Sequence, residues 1–135
     1  MIDEEGFANV LARHRRLAAG LRAGLAALDL ALFAREALSD TATAIRVPER
    51  IDGGAIIRRL YEGYRTVVAG SRTHLAGKLI RLGTMGYVSE SDILTDLYYI
   101  ERALDDLGHT SRKGAGVAAA AALFARPRQT TRAAA

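Results

Sequence analysis

At 135 residues, half of them apolar and a quarter charged, the chain can build one modest packed domain, and its lack of cysteine excludes a disulfide framework, a thiolate metal site and a cysteine nucleophile. The formal charge of +4 is concentrated at one end: Arg112, Lys113, Arg126, Arg128 and Arg132 follow Ser111 with no acid among them, so removing those five from 19 basic residues leaves 14 against 15 acids, a charge of −1 over residues 1–111. So neutral a body attracts phosphate backbones weakly, and nucleic acid is not expected as a partner.

The first predicted element is an amphipathic helix in which Phe7, Val10, Leu11, His14, Leu17, Leu21, Leu25 and Leu28 recur at steps of three and four. Gly20 and Gly24 lower its intrinsic propensity but permit close approach to a neighbour. The period breaks around residues 30–33, and Ser39-Asp40 reads as a turn. Residues 41–47 (TATAIRV) alternate and are rich in β-branched side chains, which predicts a strand ended by Pro48. Asp52 is an N-cap candidate for a helix over 53–64, with Ile56, Ile57, Leu60, Tyr61 and Tyr64 as its apolar stripe. Residues 66–69 (TVVA) read as a short strand, 70–77 as a polar, glycine-bounded loop, 78–82 (KLIRL) as a strand, and 83–86 as a turn. Ser89 and Asp92 then form a capping-box pattern ahead of a helix that keeps its period up to Gly108. Residues 114–125 are alanine-rich and predict a last, weakly anchored helix; the stretch from Arg126 onward is expected to be disordered.

The order helix, strand, helix, strand, strand, helix predicts an α+β fold: a small, largely antiparallel sheet of three to four strands with helices on one face. The N-terminal acids Asp3, Glu4 and Glu5 are the opposite of a secretory leader, and no run approaches the roughly 18 apolar residues that cross a bilayer, so a cytoplasmic setting without a membrane partner is expected.

Residues 81–88, RLGTMGYV, together with the helix SESDILTDLYYIERALDDLG, resemble the C-terminal part of the class V pyridoxal-phosphate-dependent aminotransferases, in particular the alanine–glyoxylate and serine–pyruvate group. FANVLARHRRLAAGLRAGLAALDL resembles the helix that links the large and small domains of that family, and ATAIRVPERIDGGAIIRRLYEGYRTVVAG its first strand, crossover helix and second strand. The resemblance implies the small domain of a fold type I enzyme over residues 1–111, linking helix included, followed by an Ala/Arg-rich tail over 112–135. It implies a large-domain partner that holds pyridoxal 5'-phosphate through a Schiff-base lysine, an amino acid or 2-oxo acid as substrate, and a homodimer in the complete enzyme.

Arg81 matches the family's arginine for the substrate α-carboxylate, near a strand end that faces the cleft between domains. Guanidinium suits that task because it offers a planar fork to a carboxylate and stays charged at any working pH. Ser71, Arg72, Thr73 and His74 occupy a loop expected to border the cleft, where the family pattern is AGGQGKLKGK-like, and Thr84 stands where the group often has histidine. No catalytic or cofactor-holding residue is expected in this chain, since its lysines, Lys78 and Lys113, lack the small-residue context of the family's cofactor lysine. No metal site is expected either: His14, His74 and His109 have no ligand spacing, and His14 reads as packed, while His109 is placed to bond the last carbonyls of its helix. Asp92, Asp96, Asp105 and Asp106 read as a wet helix face. The chain alone is expected to be inactive; a stand-alone amino-acid-binding or interaction module of α+β type is the alternative reading.

Overall fold

The long first helix sets the frame. In the computed structural model, which describes residues 2–127, a short helix α1 (Ile2–Glu5) precedes α2 (Phe7–Ala27), and the chain continues through β1 (Ala42–Arg46), α3 (Gly53–Tyr64), β2 (Ala69–Gly70), a 3-10 turn (Thr73–Leu75), β3 (Leu79–Gly83), α4 (Glu90–Asp106) and α5 (Ala115–Phe124). The fold is α+β, with an antiparallel sheet in the order β1-β3-β2. On the outer edge of β1 the 31–33 segment adds a fragment of a fourth strand: Leu32 bridges Ile45, Phe33 N–H donates to Ala44 O at 2.9 Å, and Arg46 N–H donates to Ala31 O at 2.8 Å.

One face of the sheet is buried. Ile45, Ile80 and Leu82 meet Ile56 and Leu60 of α3, Ile100 and Leu104 of α4, and Leu30 beyond α2. Two of the helices, α3 and α4, begin for a local reason. Asp52 caps α3 by accepting from Ala55 N–H at 3.0 Å. At α4 the capping box is complete: Asp92 N–H donates to Ser89 Oγ at 3.2 Å and Ser89 N–H to Asp92 Oδ2 at 2.8 Å. The bonds from Ser89 also hold the Asp92 carboxyl below its usual range. Gly108, at φ 87°, turns α4 off as expected. His109 differs from expectation: its Nε2 lies 3.1 Å from Leu28 O, so it serves the end of α2 rather than of its own helix.

Three further expectations are corrected. The strand expected over 66–69 shrinks to the two residues Ala69 and Gly70. Arg65 adopts φ 55° at the end of α3 and Thr66 N–H returns to Leu60 O at 3.1 Å, so this stretch still wraps the helix end and reaches the ladder late. Tyr61, expected in the α3 stripe, is 54% exposed. The alanine-rich helix is not weakly anchored. α5 lies against both α2 and α4, buries Ala115, Gly116 and Ala120, and is tied at its start by Gly114 N–H donating to Glu101 Oε1 at 2.8 Å. The carboxylate thus sits where the helix dipole favours negative charge. Residues 128–135, also expected to be disordered, lie outside the described residues.

The acids of α4 are not a uniform wet face. Asp106 binds Arg59 at 2.7 Å and accepts from Tyr64 Oη at 3.0 Å, fastening α3 to α4. Asp96 is partly buried, and burial, with Asp92 nearby, raises its pKa above the ordinary 3.8. A carboxyl raised in the folded state opposes folding once it ionises, so its cost is present near neutral pH and disappears as pH falls below 3.8. Asp96→Asn should therefore raise the denaturation midpoint near neutral pH, and the gain should vanish in acid. Urea titrations of both proteins across that range check it; a gain independent of pH would count against burial of the charge.

Candidate functional site

Arg81 stands exposed on the face of the sheet opposite the core, where Leu79, two places before it, is buried. Side chains alternate along a strand, so Ile80 and Leu82 point into the core while Arg81 points out. The strand pairing holds it more firmly than a strand end would: Arg81 is the middle residue of the central strand, opposite Ala44 on one side and Ala69 on the other. Its neighbours are small, so nothing bulky from the flanking strands stands over the guanidinium.

Arg81 has no carboxylate partner among the described residues. Its Nε and Nη2 instead donate to one backbone oxygen, Gly70 O, at 3.2 and 2.9 Å. The clamp occupies the side-on edge of the guanidinium and leaves the end-on edge, with Nη1, free for a second planar acceptor. The side chain is thereby held without being neutralised.

The 71–74 loop starts at the residue after that clamp. Ser71 is half-buried and its hydroxyl donates to Leu75 O and, at 3.4 Å, to Leu79 O, which closes the loop upon itself. Arg72, Thr73 and His74 are exposed. Thr73 Oγ1 donates to Arg72 O at 2.7 Å and lies 3.3 Å from His74 Nδ1. Thr73 has φ 58°, a left-handed conformation unusual for a β-branched residue. Thr73→Gly should accordingly relieve strain and stabilise the fold by about 1 kcal/mol after the extra freedom of unfolded glycine is subtracted. A thermal or chemical denaturation midpoint below the parent's would show that the loop does not hold this conformation.

The remaining candidates have structural roles. Thr84 is fully buried and its hydroxyl donates to Asp40 O at 2.9 Å, pinning the end of β3 to the turn before β1. His14 is buried in α2 with Nδ1 2.7 Å from Val10 O. Among the described residues no group of three His, Cys, Asp or Glu gathers in a way that could hold a metal ion. Lys78 and Lys113 are both exposed, on different segments, and neither is enclosed in a pocket. The chain's residues therefore do not fit covalent attachment of pyridoxal phosphate, since an imine-forming lysine depends on an enclosing site. A broad surface groove runs between α2, residues 87–90 and the end of α5. It includes no residue of the sheet, and Arg13 and Arg16 in its wall are engaged by Glu5 and Glu90, each at 2.7 Å.

Two residues of the open face, Arg46 and Phe33, are not among those the sequence singles out. Arg46 lies with its Cζ 5.0 Å from the centre of the Phe33 ring. The alternation of TATAIRV carries the signal for Arg46, since it puts Ala42, Ala44 and Arg46 on one side of β1. Phe33 carries none, because only the bridge from Leu32 to Ile45 brings it there.

No protein-family model matches the chain. It is 44% identical over 109 residues to an aminotransferase of Methanocaldococcus jannaschii whose specific activity is uncharacterized, covering 80% of this chain and 28% of that protein. It is 43% identical over 128 residues to the serine–glyoxylate aminotransferase of Hyphomicrobium methylovorum, covering 93% and 32% respectively. Among solved structures, the ureidoglycine–glyoxylate aminotransferase of Bacillus subtilis superposes with a TM-score of 0.87 at 31% identity, covering 91% of this chain and 32% of that one. The chain thus spans about a third of the length of the relatives it matches.

Proposed function

Because this chain is homologous to part of the class V aminotransferases, we propose that it is the small domain of such an enzyme, of the alanine–glyoxylate or serine–pyruvate type, supplying the arginine that grips the substrate carboxylate. The domain covers residues 1–111, with α2 as the linking helix; α5, from the tail that follows, packs on that helix. Its partner is a large domain, which holds the pyridoxal phosphate. That cofactor supplies the electron sink for transamination. The complete enzyme is a homodimer in the cytoplasm, and the chain alone does not transaminate.

The observation that carries this reading is Arg81 itself: an exposed cation at the centre of the sheet, clamped by Gly70 O and free of any acid among the described residues. A fork held this way binds an α-carboxylate end-on and fixes the α-carbon relative to the reacting centre, a positioning role. Arg72, Thr73 and His74 border the substrate on the side of β2, while Ser71 keeps the loop in shape. Closing the domain over the substrate then excludes water from the cleft.

The test is complementation. The purified chain should leave the absorbance of pyridoxal phosphate unchanged. Mixed with the complementary two-thirds of a relative, it should restore transfer of an amino group to glyoxylate or pyruvate. Transamination by the chain unaided would refute the assignment. Saturable amino-acid binding by the chain, without complementation by any large domain, would instead favour a stand-alone binding module.

A further inference from the structure

The open face carries a second guanidinium that the carboxylate role of Arg81 leaves unused. Ala44 stands opposite Arg81 across the β1–β3 ladder, so Ala42, Ala44 and Arg46 share the face that bears Arg81. Arg46 stands opposite Leu79, two places along β3, a diagonal of about 7–8 Å from Arg81 at the backbone.

The two are turned apart. Arg81 leans over β2 to Gly70 O, and Arg46 leans the other way, over the Phe33 ring at 5.0 Å. Between them the floor is Ala44 and the buried Leu79, with Ala42 and Gly83 farther along. Each cation is held by a contact that spares part of its hydrogen-bonding edge. Arg81 keeps its end-on edge. Arg46 spends only its flat face on the ring, and a stacked guanidinium still offers its N–H groups in plane. Arg46 is exposed and, among the described residues, has no carboxylate partner. Neither cation is neutralised by an acid among the described residues, so both remain available to anions.

We infer that this face takes a dicarboxylate: the α-carboxylate on Arg81 and a second carboxylate on Arg46, with the carbon chain lying over Ala44. The amino donor is then a short dicarboxylic amino acid, with glyoxylate or pyruvate as the acceptor. Arg46 is the residue that distinguishes it from a monocarboxylic one. The inference rests on the carboxylate role of Arg81, and the experiment separates the two.

The full chain, labelled for magnetic resonance of its arginine Nε–H groups, is titrated with succinate and with propionate at matched ionic strength. Succinate should shift the Arg81 and Arg46 signals together and bind about tenfold more tightly than propionate, the gain of one charge-assisted hydrogen-bonded pair. Propionate should shift Arg81 alone. Arg46→Ala should bring succinate down to the propionate affinity. If both acids bind equally and only Arg81 responds, the dicarboxylate inference fails and the role of Arg81 stands. It fails in the same way if Arg46→Ala keeps the preference for succinate. If Arg81 responds to neither acid, both readings fail.

Discussion

Arg81→Ala, assayed in an enzyme completed by a matching large domain, should lower kcat/KM for the amino-acid substrate by roughly 100- to 1000-fold. The figure follows from losing a bidentate pair of charge-assisted hydrogen bonds, together worth about 3–4 kcal/mol. Both kcat and KM should suffer, because the fork both binds the substrate and sets the position of its reacting carbon. Arg81→Lys should recover only part of the loss, since an ammonium keeps the charge without the planar geometry. The fold should be nearly indifferent. Arg81 is exposed, and its contacts within the chain are the bonds to Gly70 O. A thermal midpoint close to the parent's, measured on the same preparation, distinguishes a lost binding group from a lost fold. Full activity in Arg81→Ala would remove the basis of the functional assignment.

Gly24→Ala should destabilise the chain by about 3 kcal/mol, the upper range for overpacking a tight core. The sign is opposite to that in an exposed helix, where the same change gains about 1 kcal/mol in propensity. Here an added Cβ would sit 2.3 and 2.6 Å from the two terminal carbons of Leu97 and 2.9 Å from Gly116 O. Leu97 is fully buried and has nowhere to turn, and the third atom is backbone, so relief requires α2 and α5 to separate. In Gly20→Ala the nearest atoms to the added Cβ all belong to the ring of Phe124, which is half-buried near the end of α5 and can swing aside. Its loss should be distinctly smaller. Denaturant midpoints of the two variants, compared at equal slope, check the order; equal losses would mean that α5 is not held against α2 as tightly as the geometry requires.

What can be read from the sequence depends on whether the cause is local. Asp52, Pro48, Ser89 with Asp92, and Gly108 act on the backbone within a few residues, and the elements they bound are legible from type and spacing. The core positions of α4, and those of α2 from His14 onward, are legible too, because large side chains recur with the helical period, whereas Phe7 and Leu11, expected on the same stripe, are 67% and 50% exposed. The anchoring of α5 is not. Its buried residues are Ala115, Gly116 and Ala120, which hold it by allowing close approach rather than by presenting an apolar ridge, and a run of alanines shows no stripe. β2 escapes the local pattern because the competing demand, the wrapped end of α3 at Arg65 and Thr66, is a contest between two structures for the same residues; Val67, expected within the strand, is 79% exposed. At the site, the family pattern points to Arg81. The clamp on Gly70 O and the position of Phe33 arise from pairings between distant segments, which no local pattern encodes.

The rims of the sheet have a consequence for how this protein behaves at high concentration. A fibril grows by adding strands to an exposed rim that presents a long row of unpaired amides and carbonyls. Here one rim is β2, only two residues long, and the other is partly covered by the segment around Leu32. Arg46, beside that covered rim, adds a charge that further discourages stacking. The bare sheet face that carboxylate binding requires is thus framed by borders too short to template cross-β growth, so exposure for chemistry does not bring exposure to amyloid.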